Sequence, residues 1–431
     1  MRKNKLFKHI LFTPTILLSP LFLSACAIKN PFTKKVEQPV ETTNNKTEVE
    51  KTTSTKPTTT NNINENKNTN ISENTINKNS LNKEILVGHW NVLNYGSSRT
   101  TSQSSKVYAL SSIIQNSNFD LIGLTEINYN QADKVQLIID ELNKTNPEIK
   151  WNYVFQPVSE ADLSNSSTNT KEQVAIVYKE TVFQPNAFSN NKKGDSFAGE
   201  FKGINTQNAL MYRRPLYGHN FKLVNTDKTF TFIFGHFDSP GVGSKEKSLS
   251  SRNFNYDGLD YSVKNSMGEQ EALEAMELHD AMAYFDGIDG NSTILFGGDT
   301  NIKYENNDLF KKSEQAGYKL LYNDSKLTGS DKYATSLRSP RSADFVENDG
   351  YAEPYDKILF KEAEGVDVVS EKENPELMFK IDLINAFNKN YLNKEKYQEL
   401  LKNENKNLNT NVKLIRSISD HVPVFAKIII K

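Results

Sequence analysis

Polar side chains that could act on a phosphate ester recur at the ends of apolar segments in this sequence. The segments have the length and composition of strands, and the polar residues beside them are Asn91, Glu126, His236, Asp299, Asn301, Asp356, Asp420 and His421. Carboxylate and amide oxygens suit Mg²⁺, Mn²⁺ or Ca²⁺. Two imidazoles beside such an ion suit phosphodiester hydrolysis, because one can take a proton from water while the other protonates the leaving oxygen.

Each of these residues also has an ordinary structural explanation when taken alone. A Glu such as Glu126 after a buried strand often caps a helix, "GGDTN" (297–301) suits a turn, and a lone His is more often structural. A zinc site is poorly supported, because the only cysteine is Cys26 and no Cys–His cluster exists. Their shared position at strand ends indicates one site, since layered α/β folds assemble their sites there.

The elements that must position these residues alternate along the chain. Apolar residues at helical spacing predict helices over 102–117, 133–145, 268–287 and 394–403. Predicted strands lie within 84–96, 119–127, 151–158, 172–179, 221–237, 292–301, 355–360 and 423–430. Strands outnumber helices, and the helices follow strands singly. This order predicts helices packed outside β-sheets. Two polar stretches, about 241–262 and about 362–411, have the character of insertions.

The first 82 residues differ in composition from the rest. A basic start, an apolar stretch and "LSAC" predict a signal peptide over 1–25, and Cys26 stands where a bacterial lipoprotein lipobox has its acylated cysteine. A plain signal peptide or an uncleaved anchor is the alternative. Residues 26–82, rich in Asn, Thr and Lys, predict a disordered tether before a domain over 83–431.

The formal net charge of −1 gives no global positive field for nucleic acid, but a local patch or a bound cation can replace it.

Seven short motifs in order resemble the endonuclease/exonuclease/phosphatase superfamily, in particular its DNase I-like branch. They are "WNVLNYG" (90–96), "DLIGLTEI" (120–127), "YRRP" (212–215), "GHFDSP" (235–240), "GGDTN" (297–301), "YDKILF" (355–360) and "SDHVPV" (419–424). The resemblance implies a four-layer α/β/β/α sandwich of two packed mixed β-sheets. It also implies Mg²⁺ or Mn²⁺ as cofactor, with Ca²⁺ a further candidate.

The resemblance assigns a role to each matching residue. It implies that Asn91, Glu126 and Asp420 bind the metal and that Arg213 contacts the substrate phosphate. His236 and His421 would be the catalytic imidazoles, with Asp356 orienting His421. Asp299 and Asn301 would lie near the metal and the scissile phosphate. Which imidazole is the acid and which the base stays open.

The chain departs from the family pattern at several positions. The Glu that orients the first His in the nuclease branch is matched by Glu172 in "TKEQVAIVYK", while Thr170 stands where some members have a DNA-binding Tyr. Lys357 replaces the Arg of the family's Tyr-Asp-Arg-Ile motif, and the two cysteine pairs of animal DNase I are missing. The missing Tyr at Thr170 affects the expected details of how DNA binds in the groove of the enzyme, and not the expected hydrolysis. A cell-surface or secreted bacterial relative need not have the cysteine pairs.

The lipobox, the tether and this domain together resemble the membrane nucleases of mollicutes. That implies a nuclease on the outer face of the cell membrane, anchored by lipid at Cys26, which hydrolyses DNA, with RNA a further candidate substrate, for nucleotide scavenging. No protein partner is inferred. A sphingomyelinase-like phosphodiesterase is the enzyme alternative, and a DNA-binding surface lipoprotein with an inactive site is the non-enzyme alternative.

Overall fold

The computed structural model describes residues 83–164, 166–167, 170–205, 209–242, 247–249, 251–265, 267–322, 332–339 and 350–431. The predicted signal peptide (1–25), Cys26 and the predicted tether (26–82) lie outside the described residues. No helix within the described ranges is long and apolar enough to cross a membrane.

Two mixed β-sheets form the centre of the molecule. The first has six strands in the order β16-β17-β1-β2-β4-β3. Its strands are β1 Lys83–Tyr95, β2 Leu121–Asn128, β3 Trp151–Phe155, β4 Glu172–Lys179, β16 Val366–Val369 and β17 Val424–Ile430. β1 runs parallel to β2 and antiparallel to β17, so the first and last strands of the described chain lie side by side at the middle of the sheet.

The second sheet has seven strands, in the order β14-β15-β13-β10-β9-β5, with β6 also paired to β9. Its strands are β5 Phe183–Pro185, β6 Gly194–Phe197, β9 Leu216–Leu223, β10 Thr229–His236, β13 Thr293–Asp299, β14 Lys319–Leu320 and β15 Asp356–Lys361. Its central strands β10 and β13 are parallel and fully buried but for one residue, and they are rich in Phe, Ile and Leu, as expected where both faces are covered.

Two small hairpins and the helices complete the described elements. The hairpins pair β7 Phe201–Lys202 with β8 Ala209–Leu210, and β11 Arg252–Tyr256 with β12 Leu259–Val263. The helices are α1 Ser105–Asn116, α2 Gln136–Thr145, α3 Val158–Ala161, α4 Glu269–Met276, α5 Leu278–Asp289, α6 Lys311–Gln315, α7 Lys394–Asn403 and α8 Asn411–Arg416.

Three buried apolar clusters define four layers. The middle cluster joins the facing sides of the two sheets, for example Val87 and Ile176 with Phe232 and Leu295. A second cluster packs α1, α2, α7 and α8 on the outer face of the six-stranded sheet. A third packs α4 and α5 on the outer face of the seven-stranded sheet. The predicted four-layer α/β/β/α sandwich is therefore confirmed.

Close approach of the two sheets requires glycine at two inward positions. A Cβ on Gly123 of β2 would lie 2.2 Å from the ring of Phe234 on β10. A Cβ on Gly297 of β13 would lie 3.0 Å from the Cβ of His89 on β1. Larger residues would push the sheets apart at the end of the sandwich where the polar motifs collect.

Two element predictions were wrong in detail. The helix predicted over 268–287 is two helices, α4 and α5, separated at Glu277, whose φ and ψ are −93° and 5°. The buried acidic side chains of α4 bind loop N–H groups, as when Glu274 accepts from Arg213 and Asp238, and this fixes α4 independently of α5. The stretch 362–411 is not wholly an insertion, because β16 extends the six-stranded sheet beside β17. Its helix, α7, has the predicted bounds.

Candidate active site

Three of the predicted residues form one row across the seven-stranded sheet. In the strand register His236 of β10 lies opposite Asp299 of β13, and Asp299 lies opposite Asp356 of β15. Residues paired in register point to the same face of a sheet. All three are buried, so strand pairing alone brings one imidazole and two carboxylates into a row, with Asp299 in the middle.

The six-stranded sheet supplies the opposite wall. Asn91 on β1 pairs with Thr125 on β2, and Glu126 is the next residue along β2. The Asn91 side chain donates one N–H to Glu126 Oε1 at 2.8 Å and the other to Asp299 Oδ2 at 2.9 Å. Asn91 therefore connects the two sheets at the site, and it holds Glu126 and Asp299 on either side of one amide.

The segment before β17 carries His421 into the site. Ser419 Oγ donates to the carbonyl of Asn91 at 2.7 Å and accepts from the His421 N–H at 3.0 Å. The Trp90 indole N–H donates to the carbonyl of His421 at 3.0 Å. These contacts fasten residues 419–421 to β1, outside the alternation of a strand, so Asp420 and His421 need not point to opposite faces.

Each of the two imidazoles is held by its own carboxylate. His236 Nδ1 lies 2.8 Å from Glu172 Oε2, and His421 Nδ1 lies 2.7 Å from Asp356 Oδ2. The other ring nitrogens face a common point: His236 Nε2 is 3.7 Å and His421 Nε2 is 3.4 Å from Asp299 Oδ2. A carboxylate on Nδ1 fixes the ring and its tautomer and leaves Nε2 to exchange protons.

The surrounding charges shift the pKa of each of these groups. Burial alone would lower the pKa of His421, but the carboxylates of Asp299 and Asp356 outweigh burial and raise it to about 10. Burial would raise the pKa of Asp356, but His421 and a second imidazole, His89, hold it well below its usual range.

The other pair shows the same balance. Burial and Arg214 lower the pKa of His236, yet Glu172 and Asp299 raise it above its ordinary value. Burial raises the pKa of Glu172, while His236 and Arg214 bring it below its ordinary value. Both imidazoles are therefore stabilised in their charged form by carboxylates aimed at them.

Four residues at the site have a left-handed backbone conformation. Leu93, Asn94, Glu126 and Asn301 all have positive φ, between 49° and 57°. For residues other than glycine this left-handed conformation costs of order 1 kcal/mol each and persists where the surroundings enforce it. Here the strain aims groups at the site: the Asn94 N–H donates to Glu126 Oε2 at 3.1 Å, and the Asn301 N–H donates to Asp299 Oδ1 at 3.1 Å.

The predicted phosphate contact, Arg213, lies at the rim. Its side chain is 45% exposed and its Nε is 3.3 Å from Asp238 Oδ2. The next residue, Arg214, is the one turned into the site: its side chain is 12% exposed, its Nε lies 2.9 Å from Glu172 Oε1, and it donates to the carbonyl of Phe237. Within "YRRP" the structure therefore places two arginines in different roles.

The metal-binding residues predicted from the sequence supply hard oxygen donors. Glu126 and Asn91 are in contact, and the side chains of Glu126 and Asp420 are 15% and 35% exposed, which leaves carboxylate oxygens accessible. Asp420 Oδ2 is 3.8 Å from Arg416. Thiolates are absent from this set, and oxygen ligands suit Mg²⁺, Mn²⁺ or Ca²⁺. The residues fit a hard divalent cation.

Four residues at the site were not predicted to act there: His89, Thr125, Arg214 and Lys106. Lys106, on α1, donates to the carbonyl of Leu93, and burial lowers its pKa to about 8 against the opposing effect of Glu126 and Asp420. A signal for His89 was present, since it stands two residues before Asn91 and alternation puts both on one face of β1. Lys106 had no such signal, because the contact spans a loop.

In fold the chain resembles solved members of the endonuclease/exonuclease/phosphatase superfamily. A family protein from Bacteroides thetaiotaomicron is 15% identical with a TM-score of 0.42, covering 81% of this chain and 99% of its own. The human Nocturnin catalytic domain with bound sulfate is 12% identical with a TM-score of 0.45, covering 81% and 95%. TDP2 from Caenorhabditis elegans is 13% identical with a TM-score of 0.40, covering 81% and 75%.

In sequence, no protein-family model matches the chain. A stretch of 101 residues is 35% identical to an uncharacterised protein of Mycoplasma pneumoniae. The match covers 22% of this chain and 21% of that protein, so the chain spans about a fifth of that relative's length.

Proposed function

We propose that the protein is a metal-dependent phosphodiesterase that hydrolyses nucleic acid, with DNA the leading substrate and RNA a further one. The observation that carries this proposal is the convergence of two carboxylate-held imidazoles on Asp299. Their Nε2 atoms lie 3.7 and 3.4 Å from its Oδ2. Phosphodiester hydrolysis needs one group to take a proton and another to give one, on opposite sides of the same phosphorus.

The chain's own residues would divide the work as follows. The carboxylates favour the charged form of both imidazoles, so one ring must first lose its proton. A water near Asp299 Oδ2 then attacks phosphorus and gives its proton to Nε2 of that neutral ring, while Nε2 of the other, charged ring protonates the leaving O3′ as the P–O3′ bond breaks. Glu172 and Asp356 hold the two rings through Nδ1. Asn301 and Asn91 orient groups around Asp299. A divalent cation held by Glu126, Asn91 and Asp420 would neutralise charge on the phosphate.

Two surfaces favour a polyanion over a lipid as substrate. A groove of about 610 Å³ borders the Asn94 side of the site. Arg99, Lys106 and Lys406 line it together with one acidic residue, Glu404, which pairs with Lys406 at 2.9 Å. The β11–β12 hairpin, a candidate for entering a bilayer, buries Tyr261 and Val263 and exposes Asn253, Asn255 and Asp257. Basic side chains along a groove suit a nucleic-acid backbone, while exposed amides and carboxylates oppose insertion into a membrane.

The first experiment compares two substrates with the full chain in detergent. Supercoiled plasmid and sphingomyelin vesicles are each incubated with Mg²⁺, Mn²⁺, Ca²⁺ or EDTA, beside the His421→Ala protein. We expect plasmid nicking that disappears with EDTA and in His421→Ala. Released phosphocholine with intact plasmid would move the protein to the sphingomyelinase-like alternative. Plasmid binding without cleavage under every metal would favour the inactive DNA-binding lipoprotein.

We further propose that the protein is anchored at the outer face of the cell membrane by lipid on Cys26, where it would serve nucleotide scavenging. The support is the position of the only cysteine directly after "LSA" and an apolar stretch. Labelled palmitate should enter the wild-type chain and not the Cys26→Ala chain. Equal labelling of both would remove the lipid anchor from the proposal.

A further inference from the structure

His89 is a buried imidazole that the proposed hydrolysis does not use. It lies on β1 two residues before Asn91 and has no exposed surface. Its Nδ1 is 3.3 Å from Asp356 Oδ1, and its Nε2 is 3.0 Å from Thr125 Oγ1. Asp356 and Thr125 are as deeply buried. A chain of four side chains therefore runs through the core from Thr125 through His89 and Asp356 to His421.

The numbers of donors and acceptors on Thr125, His89 and Asp356 indicate which ring nitrogen of His89 carries the proton. Asp356 Oδ2 is already engaged by Nδ1 of His421 at 2.7 Å, so Oδ1 is the oxygen left to face His89. The Thr125 hydroxyl can donate to Nε2 of a neutral imidazole, which places the ring proton on Nδ1, facing Asp356. The contact of His89 Nδ1 with Asp356 Oδ1 at 3.3 Å is a charge contact that does not meet hydrogen-bond geometry, while Oδ2 bonds His421 at 2.7 Å. Each oxygen of the carboxylate therefore has an imidazole beside it.

The two sheets also make room for this ring. The missing side chain at Gly297 leaves space for His89, since a Cβ there would lie 3.0 Å from the His89 Cβ. The Phe234 ring stacks on His89 at a centroid distance of 6.2 Å and an interplanar angle of 18°. Packing and hydrogen bonds therefore both fix the ring in place, as required of a group that must hold another to a narrow geometry.

A second buried imidazole shows what a purely structural one looks like here. His219, on β9, donates through Nδ1 to the backbone carbonyl of Asn220 at 2.8 Å and lies against Phe221. Among the described residues no carboxylate is at hydrogen-bonding distance from its ring. His89 instead faces the carboxylate that holds a site imidazole. His89 and His219 are both buried, but in the part of the chain that the structure describes only His89 faces a carboxylate. This difference indicates a structural role for His219 and a role at the site for His89.

We propose that His89 is a positioning residue for hydrolysis, which holds the Asp356 carboxylate in the plane that orients His421, with Thr125 fixing the His89 tautomer. The proposal rests on the proposed function for its kinetic readout. It extends the pair Asp356–His421 to a chain of four residues. Through it, β1 and β2 of the six-stranded sheet help to hold Asp356, on β15 of the seven-stranded sheet, against His421.

The test uses three substitutions of the same side chain in the full chain. His89→Asn keeps an N–H close to the position of Nδ1, His89→Gln moves the amide toward the position of Nε2, and His89→Ala removes both. We expect kcat on plasmid to fall roughly 10- to 100-fold in the Ala and Gln variants, with KM unchanged, and to recover to within about threefold of wild type in the Asn variant. His219→Ala is the matched control and should keep its kcat.

A structural role alone would give a different result. In that case kcat of the three His89 variants would follow their thermal stability, and His89→Asn would show no rescue. Thr125→Val provides a milder variant if His89→Ala does not fold, and it should lower kcat in the same direction while Thr125→Ser does not. An unchanged kcat in both His89→Ala and Thr125→Val would overturn the proposal.

A second readout does not depend on activity. In the metal-free protein the His421 Nδ1–H that bonds Asp356 should give a downfield proton resonance that exchanges slowly with water. We expect its exchange to accelerate in His89→Ala and to stay slow in His89→Asn and His219→Ala. Unchanged exchange in His89→Ala overturns the positioning role even if the wild-type chain proves inactive, so failure of this inference is distinguishable from failure of the proposed function.

Discussion

His421 and His219 are both buried imidazoles, and their surroundings drive them in opposite directions. Burial lowers the pKa of His219 to about 4, because the backbone carbonyl of Asn220 gives little compensation and Lys193 adds to the effect. At His421 the carboxylates of Asp299 and Asp356 reverse the effect of burial and raise the pKa to about 10. Burial by itself thus makes an imidazole an inert core residue, and carboxylates aimed at the ring make it chemically useful.

The largest expected effect is the loss of activity when His421 is replaced, compared with the effect of replacing His219. His421→Ala should lower kcat roughly 10²- to 10⁴-fold, since it removes a group that moves a proton in the reaction. His219→Ala should leave kcat within about threefold of wild type and lower only the midpoint of urea unfolding. Plasmid nicking by purified proteins in Mg²⁺ measures both. A comparable loss of kcat in the two variants would mean that the comparison reflects folding and not chemistry.

The next effect is on stability and concerns His219. Its pKa is about 4 in the folded chain and near 6.5 when unfolded, so between these values the unfolded chain binds the extra proton. Stability should therefore fall as the pH drops from 6.5 to 4, by roughly 3 kcal/mol from this residue. Urea unfolding of wild type and His219→Phe at several pH values measures it. Parallel pH profiles for the two proteins would contradict the assignment.

The smallest expected effect separates two neighbouring arginines. Arg214→Lys should lower kcat roughly tenfold, because lysine cannot reproduce the contacts of Arg214 with Glu172 and the carbonyl of Phe237, and Glu172 holds His236. Arg213→Lys should change kcat less than about threefold, because its ion pair with Asp238 is exposed. Steady-state kinetics of the pair decide between them. A larger loss of kcat in Arg213→Lys than in Arg214→Lys would mean that Arg213, and not Arg214, acts at the site.

Local sequence patterns predicted more than half of the elements. The candidate site residues were named because they flank those elements and lie in motifs that match a family pattern. The helix over 394–403 and the strand over 172–179 have the predicted bounds, since their apolar periodicity is unambiguous. β16 was missed because four residues of mixed polarity carry little local signal and its pairing with β17 depends on residues about 60 positions away. Likewise, nothing local to "YRRP" distinguishes the arginine that meets Glu172 from the one that meets Asp238.

The row of His236, Asp299 and Asp356 makes the candidate site depend on correct assembly of the seven-stranded sheet. These residues meet only because β10, β13 and β15 pair in one register, and a slip of one residue in either pairing would turn a side chain to the opposite face. A molecule with a misaligned strand could still be compact and soluble, yet it would lack the site. The specific activity of a refolded sample would therefore report the fraction of molecules whose strands have paired in the correct register. Circular dichroism would not distinguish these molecules, because it reports strand content and not register.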